Sequence, residues 1–192
     1  MPNVLTHLHF CFMTDNTNPY FVLGAIAPDS SFSQGEEAVK KLHFKGTKDD
    51  RCNIEKFLQR YENENLNDEE AEFLNGYLSH LWLDNFALEN EMLTVPQPQL
   101  SEKAVKIAFK ENLKTFFTKE TTKLLRGAYR ADLSGFSKNI FPLADRAQHF
   151  VEDITTQTCC PNVAENLIVI KIQDYKDFLH RAKAEFEEQV VE

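Results

Sequence analysis

The segment from Asn67 to Met92 limits what this chain can fold into more than any other. Asn67-Asp68-Glu69-Glu70 offers a capping side chain followed by acids, the chemistry of a helix N-terminus. Beyond it, Phe73, Leu74, Tyr77, Leu78, Leu81, Trp82 and Phe86 form an apolar stripe too broad for a surface helix. The pattern predicts a central, largely buried helix running past Met92 to Val95-Pro96-Gln97-Pro98. Two titratable residues, His80 and Asp84, stand inside that stripe. Four apart on a helix, they stack one turn above each other on one face. A buried carboxylate is costly unless it is paired or holds a metal. Taken alone, the pair reads better as two groups bonded to each other and to a backbone carbonyl, because H-x-x-x-D spacing is common by chance.

The flanking segments point the same way. Pro19 opens Tyr20 to Ala27 and Pro28-Asp29 closes it, which predicts a short buried helix. Val4 to Met13 fits a helix or a strand. Residues 30–50 read as a polar loop anchored by Leu42-His43-Phe44. Ile54, Phe57, Leu58 and Tyr61 follow helical spacing, and further helices are expected from Ser101 to Phe117, Thr121 to Ala131, Leu143 to Thr156 and Asp174 to Val190. Asn166 to Ile172 is the one β-like run, a strand or the start of the last helix. The expectation is an all-α, single-domain multi-helix bundle over residues 1–192, with almost no sheet. At this length a chain needs no disulfide or metal merely to fold.

Charge narrows the partners. With 30 acidic against 21 basic residues the net charge is −9, which argues against a nucleic-acid partner. No run of 18 apolar residues exists, so no transmembrane segment is expected, and the N-terminus lacks the features of a signal peptide. No amphipathic stretch reads as strongly basic on its polar face. The four cysteines, Cys11, Cys52, Cys159 and Cys160, have no metal-ribbon or redox spacing and read as free thiols suited to a reducing cytoplasm.

His80 and Asp84 have company. Asp29 ends an apolar helix, His43 sits at the only apolar spot of a polar loop, and His7 lies among Val4, Leu5, Leu8 and Phe10. Each has a plain structural reading: a turn former, a loop histidine and a satisfied core histidine. Together they offer three imidazoles and two carboxylates from four segments, a ligand set suited to Zn²⁺ and similar ions. His9 points about 200° away from His7 on a helix and is left out.

On these residues the chain resembles the zinc-dependent phospholipase C family, in particular its short bacterial branch. The matching pieces are Met1 to His7, Leu23 to Asp29, His43-Phe44, and Phe73 to His80 with Asp84, in the family's order across roughly the first half of the chain. The resemblance implies an all-α fold with metal-site motifs in residues 7–84. Asp29, His43, His80 and Asp84 would hold one Zn²⁺ or other divalent ion, with His7 on a second that Asp84 bridges. It also implies hydrolysis of a phosphate ester by metal-activated water, with Asp29 as a possible base. The chain departs from the secreted enzymes of that family: it begins Met-Pro rather than with Trp, and its only Trp is Trp82. The family's later histidines have no good counterpart. The nearest, His149 with Asp153, reads better as an exposed helix face, and His180 as solvated. A small soluble phosphate ester therefore fits as substrate better than a membrane lipid. The alternative is a non-catalytic helical domain whose metal site is degenerate or structural.

Overall fold

The structure is a computed structural model that describes residues 4–46, 51–90, 118–157 and 172–190. Among them run eight α-helices: α1 (Val4–Met13), α2 (Pro19–Ile26), α3 (Glu36–Leu42), α4 (Ile54–Tyr61), α5 (Asp68–Glu89), α6 (Thr118–Tyr129), α7 (Phe141–Gln157) and α8 (Ile172–Val190). A 3₁₀ stretch over Pro28–Gln34 links α2 to α3. The described residues contain no strand, only an isolated antiparallel bridge between Lys45 and Cys52. The fold is all-α, and the open case at Val4–Met13 resolves to a helix with Leu5 through Cys11 all buried.

Two expectations are corrected. Residues 30–50 were expected to form a loop, yet they contain most of the 3₁₀ stretch and all of α3. Acids in the first turn of α3 and lysines in its last complement the helix dipole, and Lys40 reaches Glu36 at 2.7 Å. The polar composition that suggested a loop is the outer face of a two-turn helix. The central helix α5 also ends earlier than expected. Asn90 stops it, its backbone N–H and side-chain amide both donating to the Phe86 carbonyl at 3.0 and 2.9 Å. The helix expected from Ser101 to Phe117 lies outside the described residues, as does the β-like run apart from Ile172, which opens α8.

Local signals explain the element starts that matter most. Asn18 accepts from the Tyr20 N–H at 2.9 Å, with Pro19 as the first residue of α2. Asn67 and Glu70 form a reciprocal capping box at the start of α5. Glu70 also accepts the Ser137 N–H at 2.6 Å, which explains a carboxylate that is nearly inaccessible there. Trp82 is a core residue, stacked between Phe10 and Phe86, with its indole N–H donating to Gln189 on α8.

The crossing of α2 and α5 is unusually close. A Cβ placed on Gly24 would stand 1.9 Å from the carbonyl oxygen of Phe73, and one on Gly76 would stand 1.9 Å from that of Phe21. The contact is reciprocal: each glycine lies against the carbonyl three residues before the other. Both glycines are helical, so what they provide is space rather than an unusual backbone angle. Their Cα–H groups facing these carbonyls suit the weak hydrogen bonds found at close helix interfaces. Gly76→Ala is therefore expected to lower stability by about 1–3 kcal/mol through overpacking. Alanine in a helix interior would otherwise gain about 1 kcal/mol. Urea denaturation of the two proteins checks the sign.

Candidate metal centre

Each site residue is positioned by a helix or a helix end. Asp29 is the second residue of the 3₁₀ stretch, one turn past α2. His80 and Asp84 project from α5, and His7 from α1. His43 caps the C-terminus of α3, where the Lys45 N–H bonds to the Lys40 carbonyl and the Phe44 N–H to that of Lys41. This is the Schellman pattern, with Phe44 in the left-handed position usually given to glycine, at φ 52°. The Phe44 ring packs edge-on against Phe57 and Tyr77, and the Tyr77 hydroxyl donates to the Leu42 carbonyl, so α5 itself holds the end of α3.

All five residues singled out in the sequence converge, and none is more than 3% exposed. His43 Nε2 and His80 Nε2 face each other at 3.2 Å. Asp29 Oδ1 lies 3.7 Å from His43 Nε2 and 3.9 Å from His80 Nε2. Asp84 Oδ2 lies 3.7 and 3.8 Å from the same two nitrogens. Asp84 turns its other oxygen, Oδ1, toward His7 Nε2 at 3.5 Å. His7 stacks on His80 with ring centroids 3.6 Å apart and planes within 12° of parallel. Two groups, His43 with His80 and Asp84, and His7 with Asp29 and His80, bring their ligand atoms close enough to hold a metal ion.

The hydrogen bonds behind the ligands decide the tautomers. His80 Nδ1 donates to the Ala25 carbonyl at 2.7 Å and His43 Nδ1 to the Val39 carbonyl at 2.8 Å. Those carbonyls lie in the last turns of α2 and α3, and the Val39 carbonyl also accepts the His43 N–H at 2.9 Å. With Nδ1 donating, a neutral ring keeps its lone pair on Nε2. With both rings neutral, two such lone pairs 3.2 Å apart repel, and two carboxylates and two negative helix ends surround them. Among the described residues, the only ion-pair partners of Asp29 and Asp84 within 4 Å are these imidazoles. His7 Nδ1 and Nε2, Asp29 Oδ2 and Asp84 Oδ1 are buried with no hydrogen bond. The cluster presents acceptor atoms that a cation could bind.

The titration of the cluster follows from this. Burial, then the neighbouring His7, pushes His80 down to about 3, so its ring is neutral at pH 7. Burial also pulls His43 down, but the Asp29 and Asp84 carboxylates outweigh it and its net shift is upward. Burial would raise Asp84, yet His7, 3.5 Å from its Oδ1, and the other imidazoles hold it below the usual carboxylate range.

Residues outside the cluster take the roles expected of them. His9 bonds to the Tyr175 hydroxyl at 2.9 Å and faces α8. His149 is exposed and turned onto Asp145 of its own helix, and His180 is exposed. One neighbour was not foreseen. The Cys52 thiol donates to Asp84 Oδ2 at 3.8 Å, and the Asn85 side chain clamps the Cys52 backbone through both N–H and C=O, at 2.7 and 2.9 Å. Burial and then the Asp84 charge raise the Cys52 pKa, which keeps it a thiol donor. Nothing in the spacing of Cys52 marks it, because long-range contacts place it: the bridge to Lys45 and the Asn85 clamp from α5. Cys11 is likewise buried and free, while Cys159 and Cys160 lie outside the described residues.

Substitutions at Phe44 separate ring packing from backbone strain. Phe44→Ala is expected to lose ring packing while keeping the left-handed strain, and Phe44→Gly to lose the packing but not pay for the strain. The glycine variant should therefore be the more stable by about 1 kcal/mol, as read by urea denaturation.

In comparisons with known proteins, no family model, no curated protein and no solved structure matches this chain.

Proposed function

We propose that this chain is a metal-dependent hydrolase of phosphate esters, acting on a small phosphodiester or phosphomonoester with Zn²⁺ as its ion. One observation carries the metal: two imidazole lone pairs held 3.2 Å apart by backbone carbonyls, between two buried carboxylates. Donor atoms around a tetrahedral zinc lie about 3.3 Å apart. His43, His80, Asp29 and Asp84 would hold the first ion. His7 and His80 have nearly parallel ring planes 3.6 Å apart, and an imidazole lone pair lies in its ring plane. The two rings therefore suit separate ions, and Asp84, which turns one oxygen to each side, suits a bridge between them.

Bound there, such an ion would acidify a water and polarise a phosphoryl oxygen. The residues supply the remainder. The Ala25 and Val39 carbonyls fix both imidazoles in the ligating tautomer. Asp29 presents Oδ1 to the histidines and keeps Oδ2 without a hydrogen bond, where it can accept a proton from the attacking water. The apolar surroundings on α2 and α5 strengthen every charge interaction inside.

A second reading has its own support. All five side chains are closed from solvent, as in a structural site with every position filled by protein. The phosphate-ester reading rests on the family resemblance, and the burial favours the structural one.

Two experiments follow. Elemental analysis of protein purified without chelator or nickel resin should find one or two equivalents of zinc or a similar ion, and Asp84→Ala should lose it. No metal, and none taken up on addition, would end the metal reading. Hydrolysis of bis(p-nitrophenyl) phosphate should fall about 10²- to 10⁴-fold in Asp29→Asn at matched metal content. Full metal with no turnover of any phosphate ester would leave the structural reading.

A further inference from the structure

Helix α6 differs from the rest of this acidic chain. Lys119, Lys123, Arg126 and Arg130 follow one another at intervals of four, three and four residues, so they share one helical face, the last just past the helix end. The sequence reading expected no strongly basic amphipathic stretch, and α6 corrects it. Glu120 and the interspersed threonines dilute the charge along the linear sequence, and only the helical period gathers the four cations. All four are exposed, and among the described residues none forms an ion pair.

These cations line a groove of about 950 Å³ that also includes Phe12 of α1 and Pro19 of α2, with Glu120 as its one carboxylate. The groove is separate from the metal centre. Pro19 stands at the opposite end of α2 from Ala25, whose carbonyl holds His80, about 9 Å of helical rise away. The row from Lys119 to Arg130 is about 16 Å long. An extended peptide covers that length in about five residues and places alternate side chains on one side about 7 Å apart.

We propose that this groove binds a short extended segment of a partner protein in which carboxylates alternate with apolar side chains. The carboxylates would meet the Lys119–Arg130 row, and the apolar residues would cover Phe12 and Pro19. The concave shape keeps a flat lipid surface away from the floor. A long nucleic acid would pass beyond the groove onto a protein whose net charge is −9, whereas a short acidic segment keeps its charges within the groove.

The test is fluorescence anisotropy with a labelled peptide, Glu-Leu-Glu-Leu-Glu-Leu, on the wild-type protein and on Lys123→Glu/Arg126→Glu. Both substitutions are at exposed positions, and far-UV circular dichroism and metal content serve as controls expected not to change. Saturable binding that weakens as salt rises, and falls at least tenfold in the variant, supports the proposal. Absence of binding at low salt overturns it, as does equal binding of Lys-Leu-Lys-Leu-Lys-Leu or equal binding by the variant. Stronger binding of oligothymidylate or of phosphatidylserine vesicles would also overturn it, by assigning the groove to another class of partner.

Discussion

The backbone contact between α2 and α5 at Gly24 and Gly76 sets the rest of the structure. It brings the two helices together without intervening side chains. That closeness lets an imidazole on α5 reach a carbonyl in the last turn of α2. A wider crossing would move the Ala25 carbonyl away from His80 and carry Asp29, just past the end of α2, away from both α5 ligands. The glycine pair is thus as much a part of the candidate centre as the residues that face it.

The centre is built from helix ends as well as side chains. A carbonyl in the last turn of α2 and one in the last turn of α3 each orient a histidine. One stretch of α5 serves four purposes: Gly76 admits α2, Tyr77 holds the end of α3, His80 and Asp84 face the site, and Asn85 secures Cys52. Consecutive roles on one helix mean that a small rotation of α5 would disturb all of them together.

His7, His80 and Asp84 were legible in the sequence as polar groups set in apolar stretches, a placement that costs free energy without a partner, while Asp29 at a helix end and His43 in a polar segment joined them through the shared ligand chemistry and the resemblance. The 3₁₀ stretch and α3 were not, since in a two-turn helix with a solvated outer face the charges outnumber the buried positions. The early stop of α5 depends on one asparagine turning its amide back to Phe86, which the apolar stripe conceals. The role of Cys52 depends on a long-range bridge, and the basic face of α6 becomes visible only once its helical register is fixed. The features missed are those decided by tertiary placement, by a single capping group or by a register that the linear composition hides, and the helices found are those whose apolar residues repeat with the helical period.

The facing lone pairs of His43 and His80 have a thermodynamic consequence. Folding brings together groups that water would keep apart in the open chain, so with both rings neutral the fold carries a repulsion that the proposed cation would remove. Once the free concentration of such an ion exceeds its dissociation constant, each further tenfold increase adds about 1.4 kcal/mol to the folded state, provided that the unfolded chain does not bind it. If the proposed ion binds, the chain would have no single conformational stability. Its folded fraction, and with it its lifetime among cellular proteases, would become a function of how much of that ion is available.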